Sequence, residues 1–127
     1  LKQWEDALRY FQLGCETWYP AYGLHHEIMV SSYGNQSTCL KNLGRLDEAL
    51  ECNDKCLKVL VNTDDEDSYD YAITVFNRAG LLKMAGKIGE ARIACQKSID
   101  VLNGNKIKDE ARSLDLIKIC KTFIGRL

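Results

Sequence analysis

The chain has 127 residues, of which 46% are hydrophobic and 28% charged, with a formal net charge of −1. That length suffices for one domain with a buried core, and the composition is that of a globular protein, not a disordered tail. The near-zero charge gives no basic footprint for a nucleic-acid backbone, no apolar run approaches the roughly 20 residues of a membrane-spanning helix, and no signal-peptide pattern is present.

In chain order, the hydrophobic periodicity predicts six helices, over residues 1–18, 24–43, 46–61, 67–85, 88–102 and 107–126. The first opens in what reads as mid-helix, so the chain is expected to be a piece of a longer polypeptide. It should stop at the break Tyr19-Pro20-Ala21-Tyr22-Gly23. The second carries Met29, Tyr33, Gln36, Leu40 and Leu43 at helical spacing, and the third carries Leu46, Ala49, Asn53, Cys56, Leu57 and Leu60. Gly44 lies between them, at a point where a helix that stops needs a residue tolerant of positive φ. A turn this short forces the two helices antiparallel.

The polar linker Asn62-Thr63-Asp64-Asp65-Glu66-Asp67-Ser68 supplies capping residues and carboxylates for the next helix N-terminus. It lacks the glycine and the spaced acidic ligands of a calcium-binding loop. The fourth helix carries Tyr71, Val75, Ala79 and Leu82, Gly86 follows it, and the fifth carries Ile88, Ala91, Cys95, Ser98, Ile99 and Leu102. Asn103-Gly104-Asn105 makes another break. The last helix bears one stripe of Leu114, Ile117, Cys120 and Ile124 and another of Leu116, Ile119, Phe123 and Leu127. Two apolar sides predict that something covers the far face, either further helices or a second copy of the chain.

These helices repeat. Ala7, Ala49 and Ala91 are spaced at 42 residues, and the same offset relates Gly44 to Gly86, Asn35 to Asn77, Leu40 to Leu82, Lys41 to Lys83 and Lys55 to Lys97. So many matches in one register identify a helix-pair repeat. The expected organisation is one domain: a half-repeat over 1–20, repeats over 24–62 and 67–104, and a half-repeat or capping helix over 106–127.

The six cysteines contain no CxxC pair, and although Cys52 and Cys56 share a helix face, all six fall on or beside apolar stripes. They read as small buried hydrophobes, with no metal, no cofactor and a cytoplasmic setting expected. His25 and His26 are adjacent and point apart on a helix, and no nucleophile, phosphate-loop or zinc-protease motif is present. Asn35-Gln36-Ser37 matches a glycosylation sequon but lies inside a predicted helix. No enzymatic activity is expected.

The segment Tyr33-Gly34-Asn35-Gln36-Ser37-Thr38-Cys39-Leu40-Lys41-Asn42-Leu43-Gly44-Arg45-Leu46-Asp47-Glu48-Ala49-Leu50 resembles a tetratricopeptide (TPR) repeat. Its aromatic, Leu40, Gly44 and Ala49 fall at the family's signature spacings. Val75, Ala79, Leu82, Gly86 and Ala91 match with the aromatic replaced by Val75, and Ala7 and Phe11 fit the second-helix signature. The period exceeds the usual 34 residues and is similar to that of kinesin light chains. The family's proline after the second helix is absent.

The resemblance implies an all-α, right-handed superhelical stack of antiparallel helix pairs, a TPR-like α-solenoid with a concave groove lined by the first helix of each pair. Carried over, the groove residues are Ser31, Gly34, Asn35, Thr38, Lys41 and Asn42 in one pair, and Ile73, Phe76, Asn77, Gly80, Lys83 and Met84 in the next. Asn35 and Asn77 offer a donor and an acceptor to the backbone of an extended peptide. Lys41 and Lys83 favour an acidic or carboxylate ligand, while the family's chaperone-tail clamp fails where Asp115 and Ile119 stand, with only Lys118 nearby.

The implied function is a protein–protein interaction scaffold holding a peptide or protein segment, with no direct contact to nucleic acid or membrane and with self-association through the 107–127 helix as a possibility. A second reading is an accessory helical domain of a larger enzyme. Trp4-Glu5-Asp6-Ala7-Leu8-Arg9-Tyr10 with Tyr19-Pro20 is loosely similar to the C-terminal domain of SET-and-MYND methyltransferases. A third is the ligand-sensing domain of a regulator.

Overall fold

The computed structural model describes residues 2–23, 27–63, 68–104 and 110–127. Its helices are α1 (Lys2–Tyr22), α2 (Glu27–Asn42), α3 (Leu46–Asn62), α4 (Tyr69–Met84), α5 (Ile88–Leu102) and α6 (Glu110–Gly125), and no strand occurs among the described residues. His25, His26, the acidic residues 64–67, Asn105 and the predicted start of the last helix at 106–109 lie outside them. The chain divides into two compact units, Leu1–Thr63 and Asp64–Leu127.

One expected boundary moves. Instead of breaking at Tyr19, α1 runs through Pro20 to Tyr22 and stops at Gly23, whose φ is +59°. A proline in the last turn removes one backbone hydrogen bond at a point where the helix is ending anyway, so the glycine and not the proline sets the terminus.

The two tight turns are alike and follow from glycine. Gly44 and Gly86 hold φ of +77° and +79°. Around the first, Arg45 N–H donates to Leu40 O at 2.9 Å and Gly44 N–H to Lys41 O at 3.0 Å; around the second, Lys87 N–H donates to Leu82 O at 2.9 Å and Gly86 N–H to Lys83 O at 3.0 Å. This paired closure satisfies the orphan carbonyls of the preceding helix and turns the chain back within three residues. Opening α4, the Ser68 hydroxyl caps the helix by accepting from Tyr71 N–H at 3.1 Å.

In the first unit α2 packs between α1 and α3. Its core is built from Cys15, Met29, Tyr33, Cys56 and Val59. Fully buried Ala49 lets the helices approach closely enough for Ser37 Oγ to donate to the Ala49 carbonyl at 2.9 Å. In the second unit α5 packs against both α4 and α6, and α4 also touches α6. Ala72, Ala79, Cys95, Ile99, Leu102, Leu116, Ile117 and Cys120 form its core.

One interhelical bond is written twice in the 42-residue register. Cys56 Sγ lies 3.6 Å from Val30 O, and Ser98 Oγ donates to Ala72 O at 2.7 Å. A second contact is preserved by a compensating shift. Lys55 Nζ sits 5.7 Å from the Tyr33 ring centre; where Val75 replaces that aromatic, Tyr71 one turn earlier receives Lys97 at 5.5 Å.

The two apolar sides of α6 find their cover inside the unit. Leu116, Ile117 and Cys120 are buried, and Phe123 and Ile124 pack on the same core. Because α6 touches both α5 and α4, it uses two faces; only Leu114 and Ile119 of the two stripes stay more than half exposed.

Candidate functional site

The residues carried over as groove-lining fall on one face of each first helix. On α2, Ser31, Asn35, Thr38, Lys41 and Asn42 are exposed and Gly34 is half-buried. Part of their hydrogen-bonding capacity is used along the helix itself: Thr38 Oγ1 donates to Gly34 O at 3.1 Å, and Asn42 Nδ2 donates to Thr38 O at 2.9 Å. Asn35 makes no such local bond with its neighbours and borders a cleft shared with α1.

On α4, Asn77, Lys83 and Met84 are exposed, whereas Ile73 and Phe76 are half-buried beneath α6. Here a trough takes shape within one unit, with α4 and α6 as its walls. The Phe76 and Phe123 rings meet edge to face, 5.5 Å apart at 75°, a favoured aromatic geometry that fixes both walls. Lys83 Nζ stands 5.3 Å from the Phe123 ring centre, and the Arg112 guanidinium lies 3.9 Å from that of Tyr69.

Two hollows share Phe76. One, of about 260 Å3, has a floor of Tyr69, Ile73, Phe76, Leu116 and Ile119 and polar edges at Asn77, Arg112 and Asp115. Another, of about 350 Å3, is lined by Phe76, Ile119, Phe123 and Thr122, with Lys83, Lys118 and Arg126 as its charged residues and no carboxylate. Its cations can therefore act on an incoming anion without first being neutralised by a local partner.

The sequence reading put Ile73, Phe76, Asn77 and Lys83 on the lining of a groove and looked at Asp115, Lys118 and Ile119 on the following helix, but did not single out for it Thr122, Phe123 or Arg126, which line the second hollow. The signal was present: Lys118, Thr122 and Arg126 recur at intervals of four, a polar stripe on one helix face. Met84 is exposed but lines neither hollow.

The cysteines carry no chemistry of this kind. All six are buried and free, and no group of three or more metal-ligating side chains occurs among the described residues. Burial, with the neighbouring Cys120, pushes the Cys95 thiol up to about 12. Such a thiol is far from the thiolate form that a nucleophile needs.

The family model of the tetratricopeptide repeat matches residues 28–104, the stretch that holds the two helix pairs closed by positive-φ Gly44 and Gly86. The chain belongs to the tetratricopeptide repeat family. No curated protein matches it. Tetratricopeptide repeats typically serve as non-enzymatic scaffolds for contact between proteins, and no described helix here is long and apolar enough to cross a membrane.

Proposed function

We propose that this tetratricopeptide chain is a binding scaffold that holds a segment of a partner protein in the trough between α4 and α6. The segment is acidic and carries an apolar side chain. Its apolar group enters against Phe76, Phe123 and Ile119, and its carboxylates meet Lys83, Lys118 and Arg126. The observation that carries this reading is the second hollow, which combines an aromatic floor with three cations and no carboxylate.

Asn77 stands at the edge of the first hollow, where its amide can pair with the backbone of an extended peptide whatever its side chains. Asn35 occupies the same register position in the first unit, and Thr38, Lys41 and Asn42 continue that exposed face of α2. We read this face as a separate contact region within the first unit. The 42-residue period resembles the long-period variety found in kinesin light chains, and a cytoplasmic setting agrees with six free thiols.

The test is fluorescence anisotropy with a short labelled peptide that alternates glutamate and phenylalanine. The intact chain should bind it saturably, and a peptide with lysine in place of glutamate should not bind. Lys118→Glu with Arg126→Glu should weaken binding by about tenfold or more, since each exposed ion pair contributes up to about 1 kcal/mol. Equal binding of both peptides, or no effect of the double reversal, refutes the trough as an acidic-segment site.

A further inference from the structure

The attraction of the α4/α6 trough for anions is concentrated at one end. In the first hollow the Arg112 guanidinium stacks on the Tyr69 ring, and Asp115 supplies a carboxylate to the same rim. The second hollow holds Lys83, Lys118 and Arg126 with no acidic side chain. Among the described residues none of these three cations forms an ion pair; Arg45 and Glu48 do, in the other unit.

The fold keeps each cation available. Lys118, Thr122 and Arg126 are four residues apart, so they follow one face of α6 over about 12 Å. Lys83 reaches across from α4, its Nζ 5.3 Å from the ring centre of Phe123, the residue after Thr122. An arginine near a helix C-terminus often caps the last carbonyls with its side chain. Here the backbone does so: Arg126 N–H donates to Thr122 O at 3.2 Å and to Phe123 O at 3.1 Å, and Leu127 N–H donates to Ile124 O at 3.1 Å. The guanidinium is left for a ligand. The Thr122 hydroxyl is spent within the helix, donating to Lys118 O at 3.0 Å, so recognition falls to the cations.

The position in the repeat also suits a ligand. In the 42-residue register Lys118, Ile119, Thr122 and Arg126 stand where α4 has Phe76, Asn77, Gly80 and Met84. Contact of α4 with α5 runs instead through Ala72 and Ala79, which share a core with Cys95 and Ile99. A helix that paired with α6 as α5 pairs with α4 would therefore leave this face open.

We infer that the second hollow seats a phosphorylated serine or threonine of the partner segment, an inference that rests on the acidic-segment reading above. A carboxylate brings one negative charge and two oxygens, whereas a phosphomonoester brings nearly two charges and three strong acceptor oxygens. Three cations around one hollow, next to a hollow that already contains Asp115, match one concentrated dianion better than carboxylates spread along a chain. Arg126 adds a planar fork able to pair with two phosphate oxygens at once. A lipid headgroup fits less well, because membrane-binding patches gather about four to eight Lys or Arg. The aromatic floor of Phe76 and Phe123 suits a side chain adjoining the phosphate.

The test compares three labelled peptides by fluorescence anisotropy on the intact chain. One is the glutamate–phenylalanine peptide; the others carry phosphoserine or serine in place of its central glutamate. The phosphoserine form should bind about fivefold or more tighter than the glutamate form, and the serine form more weakly than both. Arg126→Lys keeps the charge and removes the fork. It should abolish most of the phosphoserine advantage while changing affinity for the glutamate form by less than about twofold. The side chain is exposed and the helix-end bonds of Arg126 are made by its main chain, so the variant folds.

Equal binding of the glutamate and phosphoserine forms overturns the inference and leaves the acidic-segment reading standing. Failure of all three peptides to bind removes both. A phosphoserine advantage untouched by Arg126→Lys and by Lys118→Gln puts the phosphate elsewhere and overturns the inference. So does stronger competition from phosphatidylcholine vesicles doped with phosphatidylinositol bisphosphate than from unlabelled phosphopeptide at equal phosphate concentration, which would assign the hollow to a membrane surface.

Discussion

Ser98→Ala tests how the helix pairs are held at their crossing. Ser98 is 0% exposed, and its hydroxyl donates to the Ala72 carbonyl at 2.7 Å while lying 3.8 Å from the Cys120 thiol. It therefore ties α5 to α4 on one side and meets α6 on the other. Removing the hydroxyl deletes one buried hydrogen bond, at a net cost of about 1 kcal/mol. The Ala72 carbonyl lies inside a helix and retains its backbone partner, which limits the cost; the Cys120 thiol loses its acceptor, which raises it slightly. The expected loss is about 1–1.5 kcal/mol, or a fall in Tm of roughly 4–10 °C for a unit of this size. Thr122→Ala is the control, because its exposed hydroxyl bonds only to Lys118 O one turn back on the same helix. Urea unfolding followed at 222 nm should show Ser98→Ala clearly below Thr122→Ala, with an unchanged m-value. Two variants of equal stability would refute the idea that buried hydroxyls tie these helices.

Other expectations follow from the same geometry. Gly44→Ala and Gly86→Ala each place a Cβ at positive φ and should cost about 1–2 kcal/mol by denaturant titration, against almost nothing for Gly89→Ala on α5. The Cys95 thiol is raised from 9.0 to about 12 by burial first, so the fold favours its protonated form. Its contribution to stability is complete below pH 9 and is lost as the pH rises from there toward about 12, a decline that chemical denaturation at stepped pH would record. At pH 8, alkylation of Cys95 and Cys120 should be slow in the native protein and rapid in urea, as mass spectrometry of the labelled peptides would show. Peptide binding in the α4/α6 trough should weaken as salt is raised, since Lys83, Lys118 and Arg126 act from exposed positions.

Much of the fold was legible because its devices are local. Glycine at 44 and 86 and alanine at 49 and 91 each mark a backbone requirement, and a requirement repeated at a fixed offset cannot be mistaken. What misled was also local. Pro20 reads as a stop, yet near a helix end its missing donor costs little, and Gly23 decides the terminus. Val75 reads as a lost aromatic, although Tyr71, one turn away, takes over the cation contact. The double stripe of α6 predicts cover from further helices or a second copy, and part of that cover comes from α4 and α5, because one-dimensional periodicity does not say that a helix can lie against two neighbours of its own unit.

The trough was half legible for the same reason. Its α4 wall follows from the repeat, while its α6 wall depends on which side of Lys118, Thr122 and Arg126 meets Phe76. That is a property of packing, not of spacing.

The central claim is that α4 and α6 together grip an acidic segment with an apolar anchor. A 15N-resolved NMR titration of the intact chain with the glutamate–phenylalanine peptide tests it most directly. Amide shifts should move saturably and together at Phe76, Asn77, Lys83, Ile119, Thr122 and Phe123. Shifts confined to other faces, or linear drift without saturation across the trough, would contradict it.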